Sequence, residues 1–324
     1  MQIKKAIDKV PGGMMVIPLL IGAIIHTIFP NSAETLGGMT GAFMTGTSVI
    51  LFIFFFALGT GLDVRSTPRI ARKGLTILLS KVIFAAILGV IASKFLPTDG
   101  IQSGLLKGLS VLAIIAAFNA TNGGLLVALL EPLDRKIDVA SYPFFSVESG
   151  PFFTMLTLGA AGLGSFPWQA LVSTLVPYIL GILLGTLDPE LRKMFLPISG
   201  PLVPFIGFAL GYSMNLGMIV QSGFTGILVG LAVVVLSGIV VWLADKYIGG
   251  SDGLAGVAAS STAGAAVTVP ATIAMADASY KATATSATAI VATSVIVTAI
   301  LTPFLTMWYY KYLVKHNKLE NQVD

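Results

Sequence analysis

Two short clusters of polar and small residues interrupt apolar segments of this sequence. The first reads Asn119-Ala120-Thr121-Asn122-Gly123-Gly124, and the second reads Ala258-Ala259-Ser260-Ser261-Thr262-Ala263-Gly264-Ala265. Inside a membrane, polar side chains are costly unless they face protein or water, and irregular backbone is tolerated only where it lines a cavity. If helices restart near Asn122 and Gly264, their free backbone N–H groups present partial positive charge to an anion. The clusters therefore predict a binding site for a small anion at membrane depth.

Glu148 is the only acidic residue that we place deep in an apolar segment. A carboxylate there can take up a proton, so Glu148 is a candidate proton relay. The alternative is a structural Glu that hydrogen-bonds a broken helix, and the two roles are compatible. The neighbouring Pro151 is expected to kink or loosen the helix. Lys81 lies near the inner end of another segment, and we expect its side chain to snorkel to the interface.

The elements that hold these residues are predicted to lie in a membrane. Of the 324 residues, 55% are hydrophobic and only 10% are charged, with a mean hydropathy of +0.91, whereas a soluble domain carries about 25% charge. The chain lacks cysteine, which excludes disulfides, thiolate metal sites and cysteine nucleophiles. It also lacks the signatures of phosphate loops, zinc proteases, dinucleotide folds and Ser/His/Asp catalysis. We therefore predict no enzyme, no cofactor and no nucleic-acid partner.

Ten apolar stretches are long enough to cross a bilayer core of about 30 Å, which takes about 20 residues. They cover residues 14–30, 42–62, 75–96, 104–130, 139–161, 168–187, 200–217, 222–244, 253–276 and 283–310. Short breaks with Gly, Pro, Asn and charged residues separate them, as is typical of loops. A signal peptide is the alternative for the first stretch, but no cleavage site of small residues follows it.

The basic residues predict the direction of the chain. With the N-terminus in the cytoplasm, most of the 19 Lys and Arg residues fall in inner loops or in the two tails. The outer loops then hold only Lys94, Lys107 and Lys281. This asymmetry follows the positive-inside rule. It predicts a multi-pass protein of a bacterial inner membrane, with an even number of spans and both termini in the cytoplasm.

The chain also repeats itself weakly. Phe56-Ala57-Leu58-Gly59 recurs as Phe208-Ala209-Leu210-Gly211, and Pro151-Phe152-Phe153-Thr154-Met155 recurs at the same offset as Pro303-Phe304-Leu305-Thr306-Met307. Between these lies a third match of Ala116-Ala117 with Ala258-Ala259. Chance similarity between apolar helices is the alternative explanation.

The repeat divides one membrane domain into two halves of five spans, at 1–162 and 163–324. An odd number of spans makes the second half enter the membrane from the opposite side, and such inverted repeats are typical of transporters. The two interruptions fall in spans four and nine, at corresponding places in the halves. We predict two broken helices that meet near the midplane, and tight packing through small residues is the alternative.

Several separate motifs resemble those of the bacterial 2-keto-3-deoxygluconate permeases. They include Val10-Pro11-Gly12-Gly13-Met14-Met15, Thr121-Asn122-Gly123-Gly124, Glu148-Ser149-Gly150-Pro151, Leu187-Asp188-Pro189-Glu190-Leu191-Arg192 and Ala258-Ala259-Ser260-Ser261-Thr262-Ala263-Gly264-Ala265-Ala266. The resemblance implies an all-α fold related to the bile acid symporters and sodium/proton antiporters, with a panel domain and a core domain that contains crossed broken helices 4 and 9. It also implies proton symport of the sugar acid released in pectin breakdown.

Two sets of residues are then expected to bind this substrate. Its carboxylate would face the half-helix N-termini at Asn122, Gly123, Gly124 and Gly264. Its hydroxyl groups would bond to Asn119, Thr121, Ser260, Ser261 and Thr262. Glu148 would exchange the coupling proton. The expected partners are a small anionic sugar acid and the lipid bilayer, and the sequence leaves a homo-oligomer open.

The residues leave other functions open. Side-chain oxygens near the crossover could bind sodium as readily as sugar, which would make the chain a sodium-coupled organic-anion symporter. A passive channel could also use broken helices, although inverted halves and an embedded carboxylate favour a carrier.

Overall fold

The computed structural model describes residues 2–7, 13–62, 68–146, 148, 150–212 and 216–320. Residues 147, 149 and 213–215 of two predicted spans therefore lie outside the description. All regular structure in the described ranges is helical. Six helices are long and apolar enough to cross a membrane, or seven if a pair bent by 64° at 38–60 counts as one span. The prediction of an all-α membrane protein is confirmed at this level.

The α-helices are numbered in chain order. They are α1 (Ile3–Ile7), α2 (Gly13–Ile28), α3 (Ser32–Leu36), α4 (Gly38–Thr45), α5 (Thr47–Thr60), α6 (Pro68–Ser93), α7 (Val111–Phe118), α8 (Gly123–Leu130), α9 (Lys136–Ala140), α10 (Tyr142–Ser146), α11 (Pro151–Ala160), α12 (Trp168–Leu187), α13 (Pro189–Phe195), α14 (Ser199–Tyr212), α15 (Leu216–Ala232), α16 (Gly238–Tyr247), α17 (Leu254–Ala258), α18 (Val269–Ala276) and α19 (Lys281–Lys315). One π-helical turn (Val233–Ser237) joins α15 to α16.

The apolar span predicted at 139–161 is not one regular helix in the described residues. The chain forms the five-residue helices α9 and α10 there, and a new helix begins at Pro151. Proline suits the first position of a helix because its missing N–H is not needed there, whereas in a helix interior it removes a hydrogen bond and kinks or breaks the helix. Glu148 lies between α10 and α11, and the residues on either side of it are outside the described ranges.

One layer of the protein consists of α2, α5, α12 and α14, and its helices cross where glycine allows close approach. In the crossing of α2 with α14, a Cβ at Gly22 would overlap Phe208 and lie 2.7 Å from the Tyr212 nitrogen. A Cβ at Gly211 would overlap the backbone of Leu19. The two backbones are therefore in direct contact.

The crossing of α5 with α12 repeats these contacts. A Cβ at Gly181 would overlap the Phe56 carbonyl and lie 2.9 Å from the Thr60 nitrogen. A Cβ at Gly59 would lie 2.5 Å from the Tyr178 carbonyl oxygen. Phe56 and Gly59 belong to one copy of the repeated Phe-Ala-Leu-Gly motif. Phe208 and Gly211, which make the matching contacts in the other crossing, belong to the second copy.

The remaining long helices form a second group, in which α7 packs between α6 and α19. Here α15 runs along α19, where Gly226 approaches Thr293 and Gly230 approaches Val297. Both interrupted segments, α7 to α8 and α17 to α18, belong to this group. Its packing therefore determines where the two interruptions lie.

Buried ion pairs hold one end of the second group together. Lys73 of α6 pairs with Asp138 and with Asp245, at 3.6 Å from the latter. Arg135 donates to Asp138 Oδ2 at 2.7 Å and to Asp252 Oδ1 at 2.8 Å. All five side chains are buried. Removing one partner of such a set costs about 3–5 kcal/mol because it leaves an uncompensated charge, so the network ties α6, α9, α16 and the start of α17 into one unit.

Alanine substitutions test the two helix crossings. We expect Gly59→Ala and Gly211→Ala each to destabilise the protein by about 1–3 kcal/mol, the usual cost of overpacking. Gly200→Ala in α14 is the matched control, because a Cβ there meets nothing within 4 Å. Thermal unfolding midpoints of the purified protein in detergent measure the effect. Equal midpoints for all three variants would contradict the close approach.

Candidate functional site

The first interruption ends at a capped helix start. α7 ends at Phe118, and α8 begins at Gly123. Asn122 is the N-cap of α8, and its Oδ1 accepts a hydrogen bond from the Leu125 N–H at 3.1 Å. Asparagine is among the strongest N-cap residues because its side chain satisfies an N–H that has no helical partner. The helix restarts at the place that the Asn-Gly-Gly sequence predicts.

The second interruption lies between α17 and α18. α17 ends at Ala258, and a 3-10 turn (Gly264–Thr268) leads into α18. Ser260 Oγ donates to the Val257 carbonyl at 2.6 Å. The Thr302 hydroxyl of α19 donates to the Ser260 carbonyl at 2.8 Å, so α19 satisfies one backbone group that the interruption releases.

Direct hydrogen bonds join the two interruptions. The Asn122 N–H donates to Ser261 Oγ at 3.0 Å, and Thr262 Oγ1 donates to the Ala117 carbonyl at 3.0 Å. The Thr262 N–H in turn donates to Thr298 Oγ1 at 3.0 Å. Ser261 and Thr262, which the sequence assigned to substrate hydroxyls, thus use their side-chain hydroxyls in hydrogen bonds with the backbone of the opposite interrupted segment.

Lys81 of α6 binds both interruptions at once. Its Nζ donates to the carbonyl oxygens of Ala120 at 2.8 Å, Ala259 at 3.2 Å and Ser261 at 2.6 Å. The side chain is 0% exposed. The expectation that Lys81 snorkels is therefore wrong, because carbonyl groups released by the interruptions provide acceptors inside the protein.

Glu148 lies beside this centre. Its side chain is 1% exposed, and it interacts electrostatically with Lys81. Both the side chain and the backbone of Thr121 interact with it. Among the residues that the structure describes, no group makes a hydrogen bond of good geometry to either carboxylate oxygen. The carboxylate is therefore free to accept a proton or a donor group.

Further buried polar atoms in the described part of the chain make no hydrogen bond of good geometry. They include Asn119 Oδ1, Thr121 Oγ1 and Tyr178 Oη. Asn119 Nδ2 donates to Thr154 Oγ1 at 3.4 Å. Buried polar atoms are normally paired, and an unpaired set of them is typical of a functional site. Sequence reasoning missed Tyr178 and Thr154, whose types give no signal in an apolar helix.

A cavity of about 410 Å³ opens next to the interruptions. Five of the predicted substrate residues line it, namely Thr121, Asn122, Gly123, Gly124 and Gly264. The opposite wall comes from the first layer, through Met15, Phe54 and Val203 among others. A helix N-terminus with free N–H groups thus borders a space large enough for a small solute.

The other predicted residues lie away from this cavity. Asn119, Ser261, Thr262 and Glu148 are buried behind its wall, and Ser260 borders a separate apolar groove between α16 and α19. Gly123 is in tight contact, since a Cβ there would overlap the Tyr142 ring, whereas a Cβ at Gly264 would meet nothing within 4 Å. The structure therefore divides the predicted set into cavity residues and residues that support them.

These features define a class of protein. Several apolar helices make the chain a multi-pass membrane protein, and paired helix interruptions beside a cavity are the arrangement found in transporters. The comparison with known proteins narrows this class.

The chain belongs to the 2-keto-3-deoxygluconate permease family, whose model matches residues 4–315. A permease of this name from Bacillus subtilis (strain 168) is 54% identical over 308 residues, which cover 95% of this chain and 93% of the relative. One from Pectobacterium carotovorum subsp. carotovorum is 46% identical over 98% of this chain and 100% of the relative, and one from Escherichia coli O9:H4 (strain HS) is 43% identical over 99% and 98%. The chain is therefore a permease and not an enzyme.

Two serine variants distinguish support of the interruptions from substrate binding. Ser261→Ala leaves the Asn122 N–H unsatisfied, and we expect it to cost about 1–3 kcal/mol. Ser260→Ala removes a bond to its own helix and should cost at most about 1 kcal/mol. Unfolding midpoints and the transport KM measure the two effects. A raised KM with unchanged stability in Ser261→Ala would show that this hydroxyl binds substrate instead.

Proposed function

We propose that this protein imports 2-keto-3-deoxygluconate by proton symport across a bacterial inner membrane. The names of the relatives support the substrate. The observation that carries the proposal is the cavity at the start of α8, which Asn122, Gly123 and Gly124 of the helix N-terminus line. The substrate carboxylate lies against Asn122, Gly123, Gly124 and Gly264, and Thr121 bonds to a hydroxyl group.

The proposed architecture is ten transmembrane helices in two inverted repeats, 1–162 and 163–324, with crossed broken helices 4 and 9. Six helices and the bent pair account for seven spans, and shorter apolar helices at Gly13–Ile28, Pro151–Ala160 and Gly264–Ala276 coincide with the other three. The matching glycine contacts of the two crossings support the repeat. The first layer then corresponds to a panel domain, and the second group corresponds to a core domain.

The cavity opens to the cytoplasm in the proposed orientation. It is lined by the start of α2 at Gly13 and the start of α14 at Ser199 and Gly200. With both termini cytoplasmic, these helix starts lie on the inner side. The structure then represents an inward-facing form, from which substrate is released into the cell.

Proton coupling follows from the charge of the substrate. An inside-negative potential opposes entry of a sugar-acid anion by about 2.3 kcal/mol per 100 mV. One proton carried with each anion cancels this charge, so that the pH gradient drives uptake. Glu148 is the proposed carrier of the proton because it is buried and accepts no hydrogen bond of good geometry from the described residues. Sodium coupling is the alternative, and uptake with and without sodium separates the two.

Glu148→Gln tests proton coupling. In proteoliposomes with an acidic exterior, we expect the variant to lose accumulation driven by the pH gradient, because glutamine cannot exchange a proton. The exposed Glu131→Gln is the control and should accumulate substrate as the unmodified protein does. Labelled 2-keto-3-deoxygluconate measures accumulation. Full proton-driven accumulation by Glu148→Gln would exclude the relay.

Gly264→Leu tests the cavity as the binding site. The leucine side chain should fill open space and raise the transport KM or abolish uptake, with little effect on the unfolding midpoint. Gly223→Leu in α15 is the matched control, since a Cβ there also meets nothing within 4 Å and Gly223 lies outside the cavity lining. Normal uptake by Gly264→Leu would place the substrate elsewhere.

A further inference from the structure

Three backbone carbonyl oxygens converge on one point between the two interruptions. They belong to Ala120, Ala259 and Ser261, and they lie 2.8, 3.2 and 2.6 Å from Lys81 Nζ. An ammonium group has three N–H donors and no acceptor. Each donor therefore has a carbonyl partner, and these partners come from both halves of the chain.

Such a set of acceptors has the chemistry of a monovalent-cation site. Carbonyl groups of unwound helices coordinate Na⁺ in secondary transporters, and rings of carbonyl oxygens replace the hydration shell of K⁺ in channels. A carboxylate nearby adds negative charge, and Glu148 interacts electrostatically with the same centre. Carbonyl ligands and a neighbouring carboxylate are the ligands that a small cation prefers.

We propose that the two interruptions form a monovalent-cation site that the ammonium group of Lys81 occupies as a tethered cation. Without Lys81, the site binds ammonium or an alkali-metal ion from solution. The site is inferred from the contacts of Lys81 with the three carbonyl oxygens. Its consequence for ion coupling rests on the proposed function. That consequence is transport without sodium.

The charges explain why a free cation does not bind beside Lys81. Lys81 and Glu148 are both fully or almost fully buried, so one positive and one negative charge face each other at the centre. A second cation there would add an uncompensated charge in a dry environment, which is strongly unfavourable. The tethered ammonium therefore excludes sodium from the same oxygens.

Lys81→Ala tests the site without any substrate. The unfolding midpoint is measured in detergent with increasing NaCl, NH₄Cl or choline chloride at constant ionic strength. We expect a lower midpoint in the variant and a recovery that rises with the logarithm of the ammonium or sodium concentration above the Kd, because a ligand that binds only the folded state stabilises it in this way. Choline is too large for the space and should give no recovery. Lys94→Ala, which removes an exposed lysine, should behave as the unmodified protein in all three salts.

Two results would overturn the proposal. One is a Lys81→Ala midpoint that is identical in the three salts. The other is a saturable sodium requirement for uptake by the unmodified protein, which remains measurable if Lys81→Ala does not fold. Failure of 2-keto-3-deoxygluconate uptake with a positive salt titration would instead reject the proposed function and leave the cation site standing.

Discussion

The contact of the Lys81 ammonium with three carbonyl oxygens is the interaction on which the interior depends. A helix that stops inside a membrane releases backbone groups that lipid cannot satisfy. Lys81 satisfies carbonyls of both interruptions, and the hydroxyls of Ser261 and Thr262 satisfy further groups. Because these backbone groups find hydrogen-bond partners inside the protein, the two helices can be interrupted while the space beside them stays open. The cavity and the free N–H groups at the start of α8 follow from that.

Different interactions stabilise the two parts of the fold: close backbone packing in the first layer, and buried polar contacts and ion pairs in the second group. Helices of the first layer meet backbone to backbone at Gly22, Gly59, Gly181 and Gly211, where no side chain lies between them. The second group is held by polar contacts around Lys81 and by the buried ion pairs of Lys73 and Arg135. Each part is thus firm within itself. Cavities of about 410 and 350 Å³ lie between the parts, so the two parts are incompletely packed against each other there.

The sequence predicted features that depend on local chemistry and missed those that depend on pairing in space. The restart of the helix at Gly123 could be predicted because Asn122 caps its own helix. The sequence predicts only a kink near Pro151, whereas a new helix begins there. Proline is found both at kinks and at the first position of helices, so the residue type alone does not separate the two. The role of Lys81 was not predictable, because its acceptors lie 39, 178 and 180 residues away along the chain. The assignment of Ser261 and Thr262 to substrate has the same limit. The sequence shows that a hydroxyl is present, but not whether it bonds to the backbone of a distant segment or to a solute.

For the proposed carrier, the positions of the two cavities impose a constraint on movement. Phe54 lines the first cavity and Phe55 lines the second, so adjacent residues of α5 face the two spaces. The second cavity is also lined by Met155 of α11 and Thr272 of α18, which belong to the group that contains the interruptions. Closing one space while opening the other therefore requires the second group to move against α5 as a body. The contacts of Lys81 are compatible with this movement, since they join α6 with both interruptions and their three carbonyl acceptors all belong to the second group.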